Sequence, residues 1–181
     1  MEELSLHILD IAENAIRAGA RNIEIHVEEN LKNDRLTITI RDDGAGMDPE
    51  TRRHALDPFF TTKEDKRVGL GLPLLGAAAR RAGGEIQIRS QAGRGTEVTA
   101  TFQHSHIDRQ PLGDTAETMQ MLIVGNPDVE FVFGHRRPQG TCHLETRGIK
   151  KALGRVPISS GEGIRMIREI LIARGYWKAG G

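Results

Sequence analysis

The spacing of the apolar residues limits the folds open to this chain more than any other feature. Segments 22–28 and 35–41 alternate apolar and polar residues on either side of a polar turn at 30–34, which predicts an antiparallel hairpin. Segment 4–18 repeats its apolar residues at helical spacing. Together with the elements below, this predicts an α+β fold, a two-layer sandwich of helices on a mostly antiparallel sheet. The other predicted elements are a short helix from Pro49, a helix from Gly71 to about Ala82, and strands at 85–90 and 97–102.

The second part of the chain is predicted to be a smaller unit. Residues 104–113 are typical of a linker, so we predict one domain over residues 1–103 and a small α/β C-terminal extension, a candidate partner-binding region, over residues 104–181. The pattern fits a separate domain and also fits packing along the sheet edge. The elements predicted in the extension are a helix capped by Asp114, a hairpin of strands 129–133 and 141–146, and a last helix behind a capping box at 159–162.

Composition and charge exclude several classes of protein. Lysine plus arginine equals aspartate plus glutamate at 25 each, which argues against non-specific nucleic-acid binding. The single cysteine, Cys142, excludes an internal disulfide and an all-cysteine metal site within one chain. The N-terminus has no signal-peptide pattern, and no apolar run approaches the roughly 20 residues that span a bilayer. We therefore expect a cytoplasmic protein whose partners are neither nucleic acid nor membrane.

Five short motifs rich in glycine or carboxylates follow one another in the first hundred residues. They lie at 10–14, 42–46, 57–63, 69–72 and 93–96. Each motif is weak alone, but the five in this order indicate a nucleotide site that is built without a Walker-type phosphate loop.

Each motif also has an ordinary structural interpretation. Asp10 and Asn14 lie four residues apart on one helix face, where they can hold Mg²⁺ and orient a water, but solvated surface helices share this spacing. Asp42 ends an apolar strand and can accept a hydrogen bond from an exocyclic amine, although Asp-Gly also forms plain turns. Gly69 and Gly71 precede a helix whose N-terminal amides can bind phosphate, or they belong to a flexible loop.

Together the motifs resemble the nucleotide domain shared by histidine kinases, DNA gyrase, MutL and the heat-shock chaperone of that superfamily. The histidine-kinase branch is the most similar, because residues 57–63 resemble its F box, and 83–88 with 95–98 resemble the hairpin that closes its sheet. The resemblance covers roughly residues 4–103 and implies a Bergerat-type nucleotide fold that binds ATP and Mg²⁺. We expect a free-standing domain, because the dimerising phosphoacceptor hairpin of a histidine kinase does not precede the first helix.

Carried over position by position, the resemblance assigns roles to individual residues. Asn14 would bind Mg²⁺, Asp42 would bind the adenine amino group, and Thr96 would help to fix the adenine. Lys63 and Arg67 would belong to a lid over the phosphates. The full set implied to bind the nucleotide is Asn14, Asp42, Gly44, Gly46, Met47, Lys63, Arg67, Gly69, Gly71, Leu72 and Thr96.

Asp10 departs from the family pattern. The family usually has a glutamate at this position, which acts as general base in its hydrolases, and aspartate is one methylene shorter. Glu13 is a poor substitute, since it points about 100° away around the helix. Asp10 is therefore a candidate general base, and fast ATP hydrolysis is less expected than ATP binding.

Three functions are compatible with the resemblance. The first is a kinase-type phosphotransferase in signal transduction, which passes the γ-phosphate of ATP to a histidine or serine of a separate protein. The second is an ATP-gated protein-binding module without turnover, and the third is a slow ATPase.

The C-terminal part carries a looser resemblance. With His104, His106 and Asp108, it is similar to small free-standing ATP-binding proteins of anaerobic bacteria encoded near iron-only hydrogenase subunits. That similarity implies a redox-linked regulatory partner. The three side chains either form a metal site or are polar residues that leave the last strand of the sheet.

Overall fold

Six strands and six α-helices make up the part of the chain that the computed structural model describes, residues 3–58 and 70–173. None of these described helices is long and apolar enough to cross a membrane. The strands are β1 (Asn22–Asn30), β2 (Arg35–Asp42), β3 (Ile86–Ser90), β4 (Thr96–Gln103), β5 (Glu130–Arg137) and β6 (Gly140–Glu145). The helices are α1 (Leu4–Arg17), α2 (Pro49–His54), α3 (Gly71–Arg81), α4 (Thr115–Gly125), α5 (Thr146–Leu153) and α6 (Gly161–Ala173).

The strands form one sheet in the order β3-β4-β2-β1-β5-β6. β1 and β2 pair antiparallel along their length, as their alternation and the polar turn between them predict. In that turn Asn30 Oδ1 accepts a hydrogen bond from the Asn33 amide, and Asp34 adopts a left-handed conformation with φ of 47°. The two other predicted hairpins, β3 with β4 and β5 with β6, are also present.

The C-terminal extension continues the sheet. β5 lies parallel to β1, in register from Asn22 opposite Glu130 to Glu28 opposite Arg136. Because β2 and β1 lie between β4 and β5, the connection through α4 has to cross both strands. The extension therefore packs along the sheet edge, one of the two arrangements that the sequence allows. The division of the chain into two domains at residue 103 stays a prediction.

The core lies between the sheet and its helices. Ile23 and Ile25 of β1 and Phe131 and Phe133 of β5 are fully buried, and Ile8 of α1 packs into the same core. The residues between them on each strand are more exposed, so one face of the sheet is covered. The predicted two-layer α+β sandwich with a mostly antiparallel sheet is confirmed.

Two local predictions for the extension differ from the structure. The sequence predicts a strand through Thr146, but α5 begins there. Thr146 Oγ1 donates to Glu130 Oε2 at 2.6 Å and accepts from the Phe131 amide at 2.9 Å, so a contact with β5 decides where the strand ends. α6 begins one residue later than the capping box predicts, because Ser160 rather than Ser159 accepts the capping hydrogen bond, at 3.2 Å.

Candidate functional site

The predicted metal and base residues lie on the outer face of α1, against the start of α3. Asp10 and Asn14 are half-buried there, since the apolar stripe of α1 faces the sheet. Gly71, the first residue of α3, lies so close that a Cβ at this position would overlap the Asp10 carboxylate. The bare glycine backbone therefore allows the N-terminus of α3 to approach Asp10 and Asn14.

Arg17 is a further polar residue of this face that none of the sequence motifs predicts. Its Nη2 donates to Asn14 Oδ1 at 2.6 Å and lies 4.0 Å from Asp10 Oδ1. Its Nη1 lies 3.5 Å from Glu13 Oε2. The guanidinium thus holds the carboxamide oxygen that is predicted to bind Mg²⁺. Its spacing of three residues from Asn14 and four from Glu13 is the signal that would have revealed it.

Asp42 ends β2 with its carboxylate partly buried. The Gly44 amide donates to Asp42 Oδ1 at 2.8 Å. Burial raises the pKa of Asp42, and the charge of Asp43 adds to the rise, although hydrogen bonds from the Gly44 and Thr96 amides oppose it. The remaining lone pairs of this carboxylate can accept a hydrogen bond from a ligand.

Asp43 anchors the same loop to the start of β1. Its Oδ1 accepts from the amides of Arg21 and Asn22, both at 2.8 Å, and its Oδ2 accepts from Asn22 Nδ2 at 2.6 Å. Burial acts to raise the pKa of Asp43, but these hydrogen bonds outweigh burial and lower that pKa. The ionised Asp43 therefore fixes the backbone next to Asp42. Sequence alone shows an Asp-Gly turn here and gives no sign of this anchor.

The loop after β2 is held between the end of α1 and the turn before β4. The Ala45 amide donates to the Ala18 oxygen at 2.9 Å, and the Ala45 oxygen accepts from the Gly93 amide at 2.7 Å. Gly46 has a φ of 66°, and a Cβ there would overlap the Gln91 backbone oxygen, so this position requires glycine. Because Ala18 directly follows α1, the loop lies next to the C-terminal end of that helix.

Ser90, at the end of β3, connects this loop to Thr96, a role that none of the sequence motifs predicts. The Met47 amide donates to Ser90 Oγ at 2.8 Å. Ser90 Oγ also lies 2.9 Å from Thr96 Oγ1 and 3.0 Å from the Gly95 oxygen. Thr96 is the register partner of Asp42 in the sheet. Ser90 therefore links the Met47 backbone to Thr96, which the pairing of β2 with β4 places beside Asp42.

The predicted site residues that the structure describes form two adjoining groups. Lys63, Arg67 and Gly69 lie outside the described residues. The nucleotide, magnesium and base roles of the whole set stay predictions. The first group, on α1 and α3, is Asp10, Asn14, Gly71 and Leu72. The second, at the end of β2, in the loop that follows it and at the start of β4, is Asp42, Gly44, Gly46, Met47 and Thr96.

His104, His106 and Asp108 turn to different partners. His104 Nε2 lies 3.1 Å from Glu29 Oε2, whereas His106 Nδ1 accepts from the Asp108 amide at 3.1 Å. Within residues 3–58 and 70–173, no group of three or more His, Cys, Asp or Glu side chains is arranged to hold a metal ion. The interpretation as polar residues that follow β4 is favoured over the metal site.

Sequence comparisons relate the chain to proteins of one kind. A profile of the family described as histidine kinase-, DNA gyrase B-, and HSP90-like ATPase matches residues 2–106, more than half of the chain. Sensor protein kinase FleS of Pseudomonas aeruginosa is 41% identical over 92 residues, covering 51% of this chain and 23% of that protein. Sensor histidine kinase ZraS of Salmonella typhimurium is 35% identical over 99 residues, covering 54% and 21%. The chain thus spans less than a quarter of the length of these relatives.

Two solved structures share the fold. The N-terminal domain of a DNA repair protein superposes with a TM-score of 0.61 at 16% identity, covering 86% of this chain and 58% of that one. The Aquifex aeolicus MutL ATPase domain complexed with ADP superposes with a TM-score of 0.56 at 16% identity, covering 96% and 70%. The fold agrees with the profile match, and this chain belongs to the family of histidine kinase-, DNA gyrase B-, and HSP90-like ATPases.

Proposed function

We propose that the chain binds ATP with Mg²⁺ and transfers the γ-phosphate to a histidine or serine of a separate protein. One observation carries the proposal: the loop that follows Asp42 is hydrogen-bonded through Ala45 to Ala18, which directly follows α1, the helix that carries Asn14 and Arg17. Asp42 offers an acceptor for an amine at one end, and Asn14 and Arg17 offer a metal ligand and a cation at the other. ATP likewise has its amine and its phosphates at opposite ends.

The start of α3 is proposed to bind the phosphates. Its N-cap residue, Leu70, has an apolar side chain that cannot cap the helix, so the first amides of the helix can bind an anion. The oxygens of Asp10 and Asn14 are of the kind that Mg²⁺ prefers, and bound Mg²⁺ would neutralise phosphate charge. Arg17 is half-exposed and can turn from Asn14 towards the phosphates.

The phosphoacceptor is proposed to lie on another protein. His7 is only 2% exposed, and its Nε2 lies 3.1 Å from Gln110 Oε1, so a phosphate cannot reach it. The relatives FleS and ZraS are named as sensor kinases. Phosphoryl transfer relies on positioning and charge stabilisation more than on a strong base, which suits the short side chain of Asp10. A redox-linked regulatory partner stays a prediction.

Transfer is tested by incubating the pure protein with γ-labelled ATP and an extract of the cells that produce it. We expect label on a protein other than this chain, and much less label with Asn14→Ala or Asp42→Asn. Asp108→Asn, which changes an exposed acid outside both site groups, should label like the wild type. Free phosphate without a labelled protein would instead identify an ATPase.

One set of contacts favours a second function, an ATP-gated binding module without turnover. Asp43 binds the amides of Arg21 and Asn22, and the Arg21 oxygen accepts from the Glu130 amide at 2.8 Å. β5 is therefore bonded to the segment that holds the loop after β2, so ordering of that loop by ATP can alter the extension. Slower amide hydrogen exchange at residues 130–137 in the presence of a non-hydrolysable ATP analogue would support the gated function. Unchanged exchange at a saturating concentration of the analogue would contradict it.

A further inference from the structure

The Ser90 hydroxyl meets three groups whose hydrogen-bonding roles can be worked out. The Met47 amide, 2.8 Å away, can only donate to it. The Gly95 carbonyl oxygen, 3.0 Å away, can only accept from it. The Thr96 hydroxyl, 2.9 Å away, is able to do either.

Counting protons assigns the direction of the Ser90–Thr96 contact. A serine hydroxyl has one proton and two lone pairs. If its proton goes to the Gly95 oxygen, both lone pairs remain, one for the Met47 amide and one for a proton from Thr96. In this arrangement the Ser90 hydroxyl and all three groups around it have a hydrogen-bond partner. The Gln91 amide also donates to the Gly95 oxygen, but only at 3.4 Å. The opposite direction would leave that longer bond as the single donor to the Gly95 oxygen and would place no proton in the 3.0 Å contact with Ser90.

The direction of this contact fixes what Thr96 shows to a ligand. Because its single proton is used on Ser90, the Thr96 hydroxyl can only accept further hydrogen bonds. Asp42, its register partner, also presents acceptors. With Asp42 and Thr96 both acting as acceptors, the site favours a base whose edge donates hydrogen bonds, directly or through a water. A base with a carbonyl on that edge would have no donor to pair with it.

We propose that Ser90 is a specificity-determining residue of the base site. By holding the Thr96 hydroxyl as an acceptor, Ser90 makes the site select a base with a 6-amino group over a base with a 6-oxo group. Ser90 acts through Thr96, so it is a positioning residue. The inference rests on the proposed ATP function and concerns which purine nucleotide that site takes.

The test compares ATP with ITP, which carries a 6-oxo group, in competition against a fluorescent ATP analogue with Mg²⁺ present. Ser90→Ala frees the Thr96 proton to point at a 6-oxo group. We expect the preference for ATP over ITP to fall about 3- to 10-fold, the range of one neutral hydrogen bond. Ser90→Ala also removes the acceptor of the Met47 amide, but this loss should change the affinities for ATP and ITP equally and so cancel in their ratio. Ser90→Thr keeps the hydroxyl and should restore the ratio.

A double-mutant cycle separates this role from a structural one. Thr96→Val removes the hydroxyl through which Ser90 is proposed to act, and valine is well tolerated in a strand. Adding Ser90→Ala to this variant should therefore leave the ratio of ATP affinity to ITP affinity unchanged. Ser159→Ala, in an exposed serine before α6, is the control and should keep the wild-type ratio. Thermal melting of each variant checks its folding.

The outcomes distinguish the two levels of the proposal. If the wild type binds neither nucleotide, the proposed function fails. If it prefers ATP but Ser90→Ala keeps that preference, or lowers it equally in the Thr96→Val background, Ser90 does not act through Thr96 and this inference alone is overturned.

Discussion

At the scale of single residues, the site depends on the partners that each carboxylate already has. Three hydrogen bonds from the start of β1 lower the pKa of Asp43 against the effect of burial. Asp42, one residue earlier, is more deeply buried, and burial raises its pKa. Two adjacent acids thus have different tasks. Asp43 holds the backbone in place, and Asp42 has acceptor capacity left for a ligand.

Asp42→Asn should weaken ATP binding by about 2–3 kcal/mol, the scale of a charge-assisted hydrogen bond. The Gly44 amide needs an acceptor, so the asparagine oxygen would face Gly44 and its amide nitrogen would face the adenine amine. Isothermal titration calorimetry measures the loss, with Asp108→Asn as the matched control. Equal affinity of the wild type for ATP and GTP would count against the assignment of Asp42.

Asp10→Glu should raise the rate of ATP hydrolysis without strengthening ATP binding, because a general base acts in the transition state. Wild-type hydrolysis should be slow, below about 1 s⁻¹. Asp10→Asn should abolish it. Steady-state phosphate release measures all three rates. An unchanged rate in Asp10→Glu together with a harmless Asp10→Asn would show that Asp10 is not the base.

At the scale of elements, the contact between α1 and α3 builds the phosphate end of the site. It depends on a missing side chain, because a Cβ at Gly71 would meet the Asp10 carboxylate. A second helical glycine provides a comparison. Around Gly148 of α5, apart from its chain neighbours and the backbone of its own helix, no described atom lies within 4 Å of a Cβ built there. The two glycines should therefore respond to alanine in opposite ways.

Gly71→Ala should lower the free energy of unfolding by about 1–3 kcal/mol, the usual cost of overpacking, and should weaken ATP binding. Gly148→Ala should raise the free energy of unfolding by about 0.5–1 kcal/mol, because alanine is favoured over glycine inside a helix. Urea denaturation measures both. A Gly71→Ala variant as stable as the wild type would show that α3 can move away from Asp10 at no cost.

At the scale of the whole molecule, Glu29 of β1 contacts both the residue that directly follows β4 and a residue of β5. Its Oε2 lies 3.1 Å from His104 Nε2, and its Oε1 lies 2.8 Å from His135 Nε2 of β5. Burial lowers the pKa of His135, and this outweighs the opposing hydrogen bond to Glu29. Burial likewise lowers the pKa of His7 against its hydrogen bond to Gln110.

These two histidines make stability depend on pH. In the unfolded chain, His7 and His135 take up protons near the ordinary histidine pKa of 6.5. In the folded chain, the same two side chains stay neutral down to a lower pH. Protonation therefore favours the unfolded state, so the free energy of unfolding should fall as the pH drops from about 7 to 5.5. His135→Gln should flatten this fall by up to about 1.4 kcal/mol per pH unit.

The measurement is urea denaturation at a series of pH values. His143→Gln, which changes an exposed histidine of β6, is the control and should keep the wild-type slope. A wild-type free energy of unfolding that is flat across this range would contradict the lowered pKa values.

Most of the secondary structure could be predicted because its causes lie within a few residues. Asp48 accepts from the amides of Glu50 and Thr51, and Asp114 accepts from that of Glu117, so both caps are local and both helices were predicted from them. α5 was missed because its start depends on a bond from Thr146 to the neighbouring strand.

The sequence by itself determined the hairpins, the α+β class and the family, because alternation, caps and short motifs are all written in neighbouring residues. Only the tertiary structure decided that β5 lies parallel to β1, that Arg17 covers Asn14, and that Ser90 orients Thr96. Strand order depends on which apolar faces are buried together across distant segments. The direction of a hydroxyl depends on every partner that surrounds it in space, and no local pattern contains that information.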